Sequence, residues 1–220
     1  MTDMIRIAVD GPSGAGKSTI AKAVAQKLSI DYIDTGAMYR AIGYKMLKEG
    51  ISVDDLAGIQ NLLDTTEIDF SKGDTILDGQ VVNDLIRTPE ISKQASRCSA
   101  VAIVRKKLVD LQQKMGQAKS VVMDGRDIGT VVFPDAEYKF FITASPEERA
   151  KRRYKELLDK GQKVDYEQVL ADITARDYND STRDVTPLRK AEDAIEVDTT
   201  NMSIEEVIDY ICKEMKQSWQ

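Results

Sequence analysis

Ile5-Arg6-Ile7-Ala8-Val9-Asp10-Gly11-Pro12-Ser13-Gly14-Ala15-Gly16-Lys17-Ser18-Thr19-Ile20 is the stretch whose reading decides the fold. Ile5 to Val9 reads as a short buried strand. A helix follows from about Lys17 to Leu28, where Ile20, Val24 and Leu28 recur four apart and would face a sheet. Between them, Gly11 to Ser18 satisfies the phosphate-loop pattern, with the strand before it and the helix after it that the motif requires. The glycines let the backbone wrap closely and turn its N–H groups toward an anion. The helix N-terminus adds a favourable dipole. In such a loop Gly11 through Thr19 would hold the phosphates of a nucleoside triphosphate such as ATP, Lys17 would reach the β and γ phosphates, and Ser18 would ligate Mg2+. The motif alone means a nucleoside triphosphate. It does not separate a kinase from a GTPase, an ATPase motor or a nucleotide sensor.

Outward from this stretch, strands and helices alternate. Tyr32-Ile33 reads as a strand end, and from Gly36 a helix carries Met38, Ile42 and Met46 as one stripe, stopping at Lys48-Glu49-Gly50. Residues 54–64 suit another helix. Thr66 to Phe70 and Thr75 to Leu77 then flank Ser71-Lys72-Gly73-Asp74 as a hairpin, and Val81-Val82 adds a third short strand. Roughly 60–88 is therefore expected to be an insert in a single domain of 1–220. One long helix is expected over about Glu90 to Met115. Val121 to Met123, ending at Asp124, and Lys139 to Ile142 read as interior parallel strands. Ser145-Pro146-Glu147-Glu148 is a capped helix start, Asp165 to Gln168 repeats the spacing before a helix ending near Asn179, and Ser203 to Glu206 opens a terminal helix bearing Ile204, Val207, Ile208 and Ile211. Ile195 to Val197 reads as the last strand. The alternation predicts an α/β layered fold with a mainly parallel sheet, which binds ligands beyond the carboxyl ends of its strands.

A formal net charge of −6 argues against nonspecific nucleic-acid binding, which needs excess positive charge. Cys98 and Cys212 form no disulfide framework, and a reduced cytoplasm suits them. No apolar run reaches membrane-spanning length. The chain has no histidine, which removes mechanisms that need an imidazole and, without grouped cysteines, makes a zinc site unexpected.

Of 31 basic residues only twelve are arginine, and Arg40, Arg126, Arg176 and Arg183 fall in connectors or beside strand ends. A guanidinium matches two phosphate oxygens with a planar fork, so these are candidate phosphate clamps as well as candidates for surface ion pairs. Arg149, Arg152 and Arg153 lie at helical spacing on one expected helix. They form either a solvated basic face paired with Glu148 and Glu156 or a lid over ATP, with Gly161 in the next connector permitting motion. Asp124 stands at a strand end, where it would meet Mg2+ through water. Asp34 is a second candidate for the metal. Each aspartate is also a candidate helix cap.

Three segments together, Gly11 to Thr19, Asp34-Thr35-Gly36-Ala37-Met38-Tyr39-Arg40 and Asp124-Gly125-Arg126-Asp127-Ile128-Gly129-Thr130-Val131-Val132-Phe133-Pro134, resemble the bacterial cytidylate kinase family. Arg176 to Arg183, Pro187-Leu188 and Asp198-Thr199-Thr200 fit the same family, so the resemblance runs almost end to end. It implies a P-loop NTPase-like three-layer fold with a five-stranded parallel sheet, an inserted lobe for the nucleoside monophosphate and a small lid at about 148–164. It implies transfer of the γ-phosphoryl group of MgATP to CMP or dCMP, with UMP a poor substrate, in a cytoplasmic enzyme that is typically a monomer with no nucleic-acid or membrane partner. Thr35, Arg40, Ser96, Arg105, Arg126, Asp127, Arg176, Asp180 and Arg183 match residues around the acceptor. Of these, Ser96, Arg105 and Asp127 match the readers of cytosine and Asp180 the holder of the sugar. Arg149, Arg152 and Arg153 match the lid; Lys17, Arg126, Arg149, Arg153 and Arg183 form the expected catalytic set.

The chemistry of cytosine suits these residue types. A carboxylate at Asp127 accepts from the exocyclic amine, while arginine and serine donate to the ring acceptors. Uracil would turn a carbonyl toward that carboxylate. In-line transfer needs no protein nucleophile, only alignment, charge stabilisation and exclusion of water. Two other readings stand beside this one: a P-loop kinase for a different small acceptor, and a nucleotide-binding module without catalysis.

Overall fold

The structure, a computed structural model, describes residues 4–71 and 73–217. The chain forms two compact units: one of residues up to Tyr32 together with those from Ser120 onward, the other of Ile33–Lys119.

In the first unit the sheet is built from β1 (Arg6–Asp10), β2 (Asp31–Asp34, at whose middle the unit ends), β6 (Val121–Gly125), β7 (Tyr138–Thr143) and β8 (Ile195–Asp198). The order is β2-β6-β1-β7-β8, with Val9 opposite Asp124 on one side and Phe140 on the other. The strands are parallel, and β1 and β6 are almost wholly buried, as uninterrupted apolar runs require. α1 (Lys17–Leu28) and α8 (Ile204–Gln217) share one apolar core with the sheet, through Ile20, Val24, Val207 and Ile211 against Ile7, Val9 and Phe140. The α/β class with a five-stranded parallel sheet, expected from the sequence, is thus the observed one. Leu28 is not part of that core; the buried face of α1 is Ile20, Ala21, Val24 and Ala25, because the helix turns 3.6 rather than 4 residues per cycle. Ile204 is likewise half-exposed, and Met215 takes the expected place on α8. α6 (Pro146–Asp159) and α7 (Tyr166–Thr182) form a hairpin with a small core of their own, Ala150, Leu157, Val169 and Ile173, and an edge-to-face contact of Tyr154 with Tyr166. Ser145, Asp165 and Ser203 accept the cap hydrogen bonds expected of them. α7 runs one turn past Asn179 to Thr182.

The second unit packs α2 (Thr35–Glu49), α3 (Leu56–Asp64), α4 (Pro89–Cys98) and α5 (Ala102–Ala118) with a three-stranded antiparallel sheet, β3 (Ile68–Ser71), β4 (Asp74–Leu77) and β5 (Gln80–Val81). Met38, Ile42 and Met46 are fully buried in its core with Ile59, Leu63 and Leu108. The hairpin turns where expected, although Lys72 itself lies outside the described residues. The single helix expected over 90–115 is two helices. Val101 is extended at φ −81° and ψ 119°, and Arg105 donates from its guanidinium to the Ser99 carbonyl at 3.1 Å. A side chain six residues further on thereby satisfies a carbonyl at the break, and no glycine or proline marks the place.

Candidate active site

The phosphate loop leaves β1 at Gly11, whose φ is +144° and whose missing Cβ would lie 1.9 Å from the Ile142 carbonyl oxygen. Only glycine fits there. Lys17 is buried and its ammonium donates to the Pro12 carbonyl at 2.6 Å. Burial, with the nearby Arg126 guanidinium, pushes its pKa down to about 7, against the pull of Asp124. Ser18 Oγ donates to one oxygen of Asp124 at 2.7 Å, and the Tyr32 hydroxyl donates to the other at 2.9 Å. Beside the loop lies a cleft of about 550 Å³ lined by Gly14 to Ile20, by Arg152 and Arg153 of α6, and by Thr199 and Met202.

Beyond β6 the chain makes a short π-helical turn, Ile128–Val132, in which Val132 and Phe133 donate to carbonyls five residues back. Such turns recur at functional sites. Its leading N–H groups have no partner within the turn. Asp10, at the end of β1, supplies one: its two oxygens accept from Ile128 at 2.8 Å and Gly129 at 2.7 Å. Burial pushes the Asp10 carboxyl up to about 7 despite these bonds. Asp127, just before the turn, is also buried. Arg126 donates from Nε to Asp180 of α7 at 2.7 Å, and Arg183 lies 3.8 Å from the other Asp180 oxygen. Burial raises the Asp180 pKa, but Arg126, Arg176 and Arg183 outweigh it and hold the carboxyl below its ordinary value. The Asp180 carbonyl accepts from Leu188 N–H, which ties down the segment after α7.

In the second unit, Asp34 caps α2 by accepting from Ala37 N–H and pairs with Arg40 at 2.7 Å. Thr35 is buried at the start of the helix. The Arg105 guanidinium lies 5.3 Å over the Tyr39 ring while bonding Ser99. Ser96 is half-buried on α4; the neighbouring hydroxyls of Ser92 and Ser99 are spent on the carbonyls of Thr88 and Ser96.

The family description "Cytidylate kinase" matches residues 7–217. The chain is 53% identical over 205 residues to a cytidylate kinase of Clostridioides difficile, covering 93% of this chain and 95% of the other. It is 51% identical over 217 residues to a cytidylate kinase of Clostridium perfringens, covering 99% and 100%. The chain belongs to the cytidylate kinase family. It is accordingly an ATP-dependent kinase. Among solved structures, an uncharacterized protein from Eubacterium ventriosum shares the fold at a TM-score of 0.54 and 16% identity, covering 98% of this chain and 99% of that one.

Within the sheet-bearing unit, Lys17, Asp124, Arg126, Arg176, Asp180 and Arg183 form one electrostatically linked group; Ser18 joins it through its hydrogen bond to Asp124, and Asp127 through Asp10. The three α6 arginines do not share one environment. Arg149 is buried against Ser13, Ala144 and Asp177. Arg152 bonds Thr199 and Glu148, and Arg153 pairs with Glu156, both beside the cleft. Asp34 spends its oxygens on a cap and an arginine. Reading the residues missed Asp10, Tyr32 and Asp177. A carboxylate closing an otherwise apolar strand was a usable signal for Asp10; nothing in the spacing of the other two marks them. Among the described residues no three acidic or sulfur ligands cluster, so a cation here would draw most of its oxygens from phosphate and water, as Mg2+ does.

Proposed function

We propose that the protein transfers the γ-phosphoryl group of MgATP to CMP, and to dCMP, by direct in-line displacement, yielding the nucleoside diphosphate and ADP. The observation that carries this reading is the linkage of Lys17, Arg126, Arg176, Asp124 and Asp180 in one largely buried group between the strand ends and α7, in a chain of this family. Phosphoryl transfer asks for that concentration of fixed positive charge, since two anions must meet.

On this reading the loop from Gly11 to Thr19 holds the donor phosphates and Lys17 neutralises charge on the moving group. Ser18 and Asp124, 2.7 Å apart, would hold Mg2+ directly and through water. When bound, that ion screens the donor phosphates and fixes their geometry. Arg126, Arg176 and Arg183 face the acceptor phosphate and the transferring group, with Arg40 on the acceptor side. Asp180 holds the sugar. Asp127, Arg105 and Ser96 read cytosine, Thr35 lies near the acceptor, and Arg149 and Arg153 belong to the donor side. The segment 148–164 would act as lid over ATP and 60–88 as part of the acceptor lobe. Among the described residues no helix is long and apolar enough to cross a membrane. We read the enzyme as a cytoplasmic monomer on the family resemblance alone.

Purified protein should be assayed with ATP against CMP, dCMP, UMP, AMP and GMP, with and without Mg2+. CMP and dCMP are expected to give ADP far faster than UMP, and only with Mg2+. Faster turnover with AMP, GMP or UMP would assign the site to another acceptor, and ATP binding without ADP release under any acceptor would end the kinase reading.

A further inference from the structure

The backbone of Ser13, in the middle of the phosphate loop, is gripped from outside the loop at both its N–H and its carbonyl, which belong to the two peptide groups flanking its Cα. Its N–H donates to Asp177 Oδ1 at 3.3 Å, and its carbonyl accepts from Arg149 at 2.9 Å. Asp177 and Arg149 are themselves joined through the same guanidinium nitrogen. The three groups close a ring between the loop, α6 and α7. Arg149 is held from a further side by the Ala144 carbonyl at 2.9 Å and is almost completely buried. The loop comes close enough that a Cβ on Gly14 would sit 3.2 Å from Arg149 Cβ.

The functional reading leaves this ring unexplained. A loop of this kind binds phosphate through its N–H groups, yet the Ser13 N–H is turned away from that task and spent on Asp177. The flanking glycines, at φ +144° and +76°, give the loop freedom that has to be removed before the remaining N–H groups can converge. Asp177 also sits one turn before Asp180, the residue that pairs with Arg126. One turn of α7 therefore holds the donor loop with one carboxylate and an arginine of the strand-end cluster with the next.

We infer that Asp177 is a positioning residue for the donor site: with Arg149 it fixes the Ser13 backbone so that the loop is preformed for the triphosphate. It touches the loop backbone rather than the reacting atoms. The proposal rests on the kinase reading above but not on the identity of the acceptor.

The test compares wild type with Asp177→Asn, which keeps the shape and an acceptor for Ser13 N–H but loses the charge facing Arg149, and with Asp177→Ala, which loses both. A non-hydrolysable ATP analogue with Mg2+ is titrated without any acceptor, and KM for ATP, KM for CMP, kcat and the melting temperature are measured below the melt. The expected result is a rise in analogue Kd and ATP KM of about tenfold for Asp177→Ala and less for Asp177→Asn, on the scale of lost charge-assisted hydrogen bonds. KM for CMP should stay within about twofold, the differential that separates donor positioning from a general fault. The inference fails if the variants only melt earlier while Kd and both KM values stay at wild type. It also fails if KM for CMP rises as much as KM for ATP, or if Asp177→Asn, should Asp177→Ala not fold, binds the analogue as wild type does. Wild-type protein that binds the analogue but leaves CMP unphosphorylated would count against the proposed function and leave the binding comparison intact.

Discussion

In the sheet-bearing unit, Lys17, Asp10, Asp124, Arg126 and Asp180 are buried or nearly so, sit at the ends of β1 and β6, at the start of α1 and on α7, and are joined by a chain of charge interactions. In the helical unit, Arg40 pairs with Asp34 six residues before it, both partly exposed, and Arg105 lies on the face of Tyr39. The first arrangement couples charges across 170 residues of sequence; the second settles them mostly within a helix or between neighbouring ones. Buried and linked charges lose hydration and have to be offset by one another, so removing one member strands the rest. Arg40 and Arg126 are about equally exposed, but Asp34, at 17% side-chain exposure against 7% for Asp180, keeps more access to water and a hydrogen bond from Ala37 N–H, so it is less stranded when its arginine goes.

This contrast yields its own tests. Arg126→Met should cost about 3–5 kcal/mol of stability, because Asp180 is left buried without its hydrogen-bonded partner, whereas Arg40→Met should cost less, about 1–2 kcal/mol, because Asp34 keeps the Ala37 N–H and some water. Equal losses in denaturant melts would erase the distinction between the units. Lys17→Ala should lower kcat by about 10²–10³-fold with little change in melting, since it removes charge from the transferring group while relieving a desolvated ammonium. Steady-state turnover near wild type would overturn its assigned role. Asp127→Asn should shrink the preference for CMP over UMP by about tenfold, seen in kcat/KM for the two acceptors, as an amide can donate to the carbonyl that a carboxylate repels.

A pH experiment probes the same cluster. The Asp180 carboxyl is held below its ordinary value by three arginines, so the stability it contributes is present above about pH 4 and is lost as pH falls through the folded-state value. Stability curves of wild type and Asp180→Asn should therefore differ most near neutrality and converge in acid. Curves that stay parallel would mean that the arginines do not act on this group. The smallest effect is expected at the rim, where Arg153→Ala breaks an exposed pair with Glu156 and should move stability by less than about 0.5 kcal/mol.

What could be read from the residues was local in its physics. The phosphate loop announces itself because strand, glycines, lysine and helix start are consecutive, and the caps at Ser145, Asp165 and Ser203 lie three residues from the N–H groups they satisfy. Interior strands were legible as apolar runs, and Met38, Ile42 and Met46 as a helical stripe. The break between α4 and α5 was not legible, because the group that stabilises it is the Arg105 side chain reaching back across the break.

By itself, then, the sequence determined the α/β order of elements, the presence of a triphosphate loop and, through its full-length likeness to one family, the class of enzyme. Tertiary structure alone decided that Asp10 would hold the turn after Asp127 across 118 residues, that Tyr32 would share Asp124 with Ser18, and that Arg149 would turn toward Ser13 and Asp177 instead of lining up with Arg152 and Arg153. Periodicity places a side chain on a face. Which buried partner it meets there depends on which distant element the fold packs against that face, and a buried polar group has to find such a partner or give up its charge.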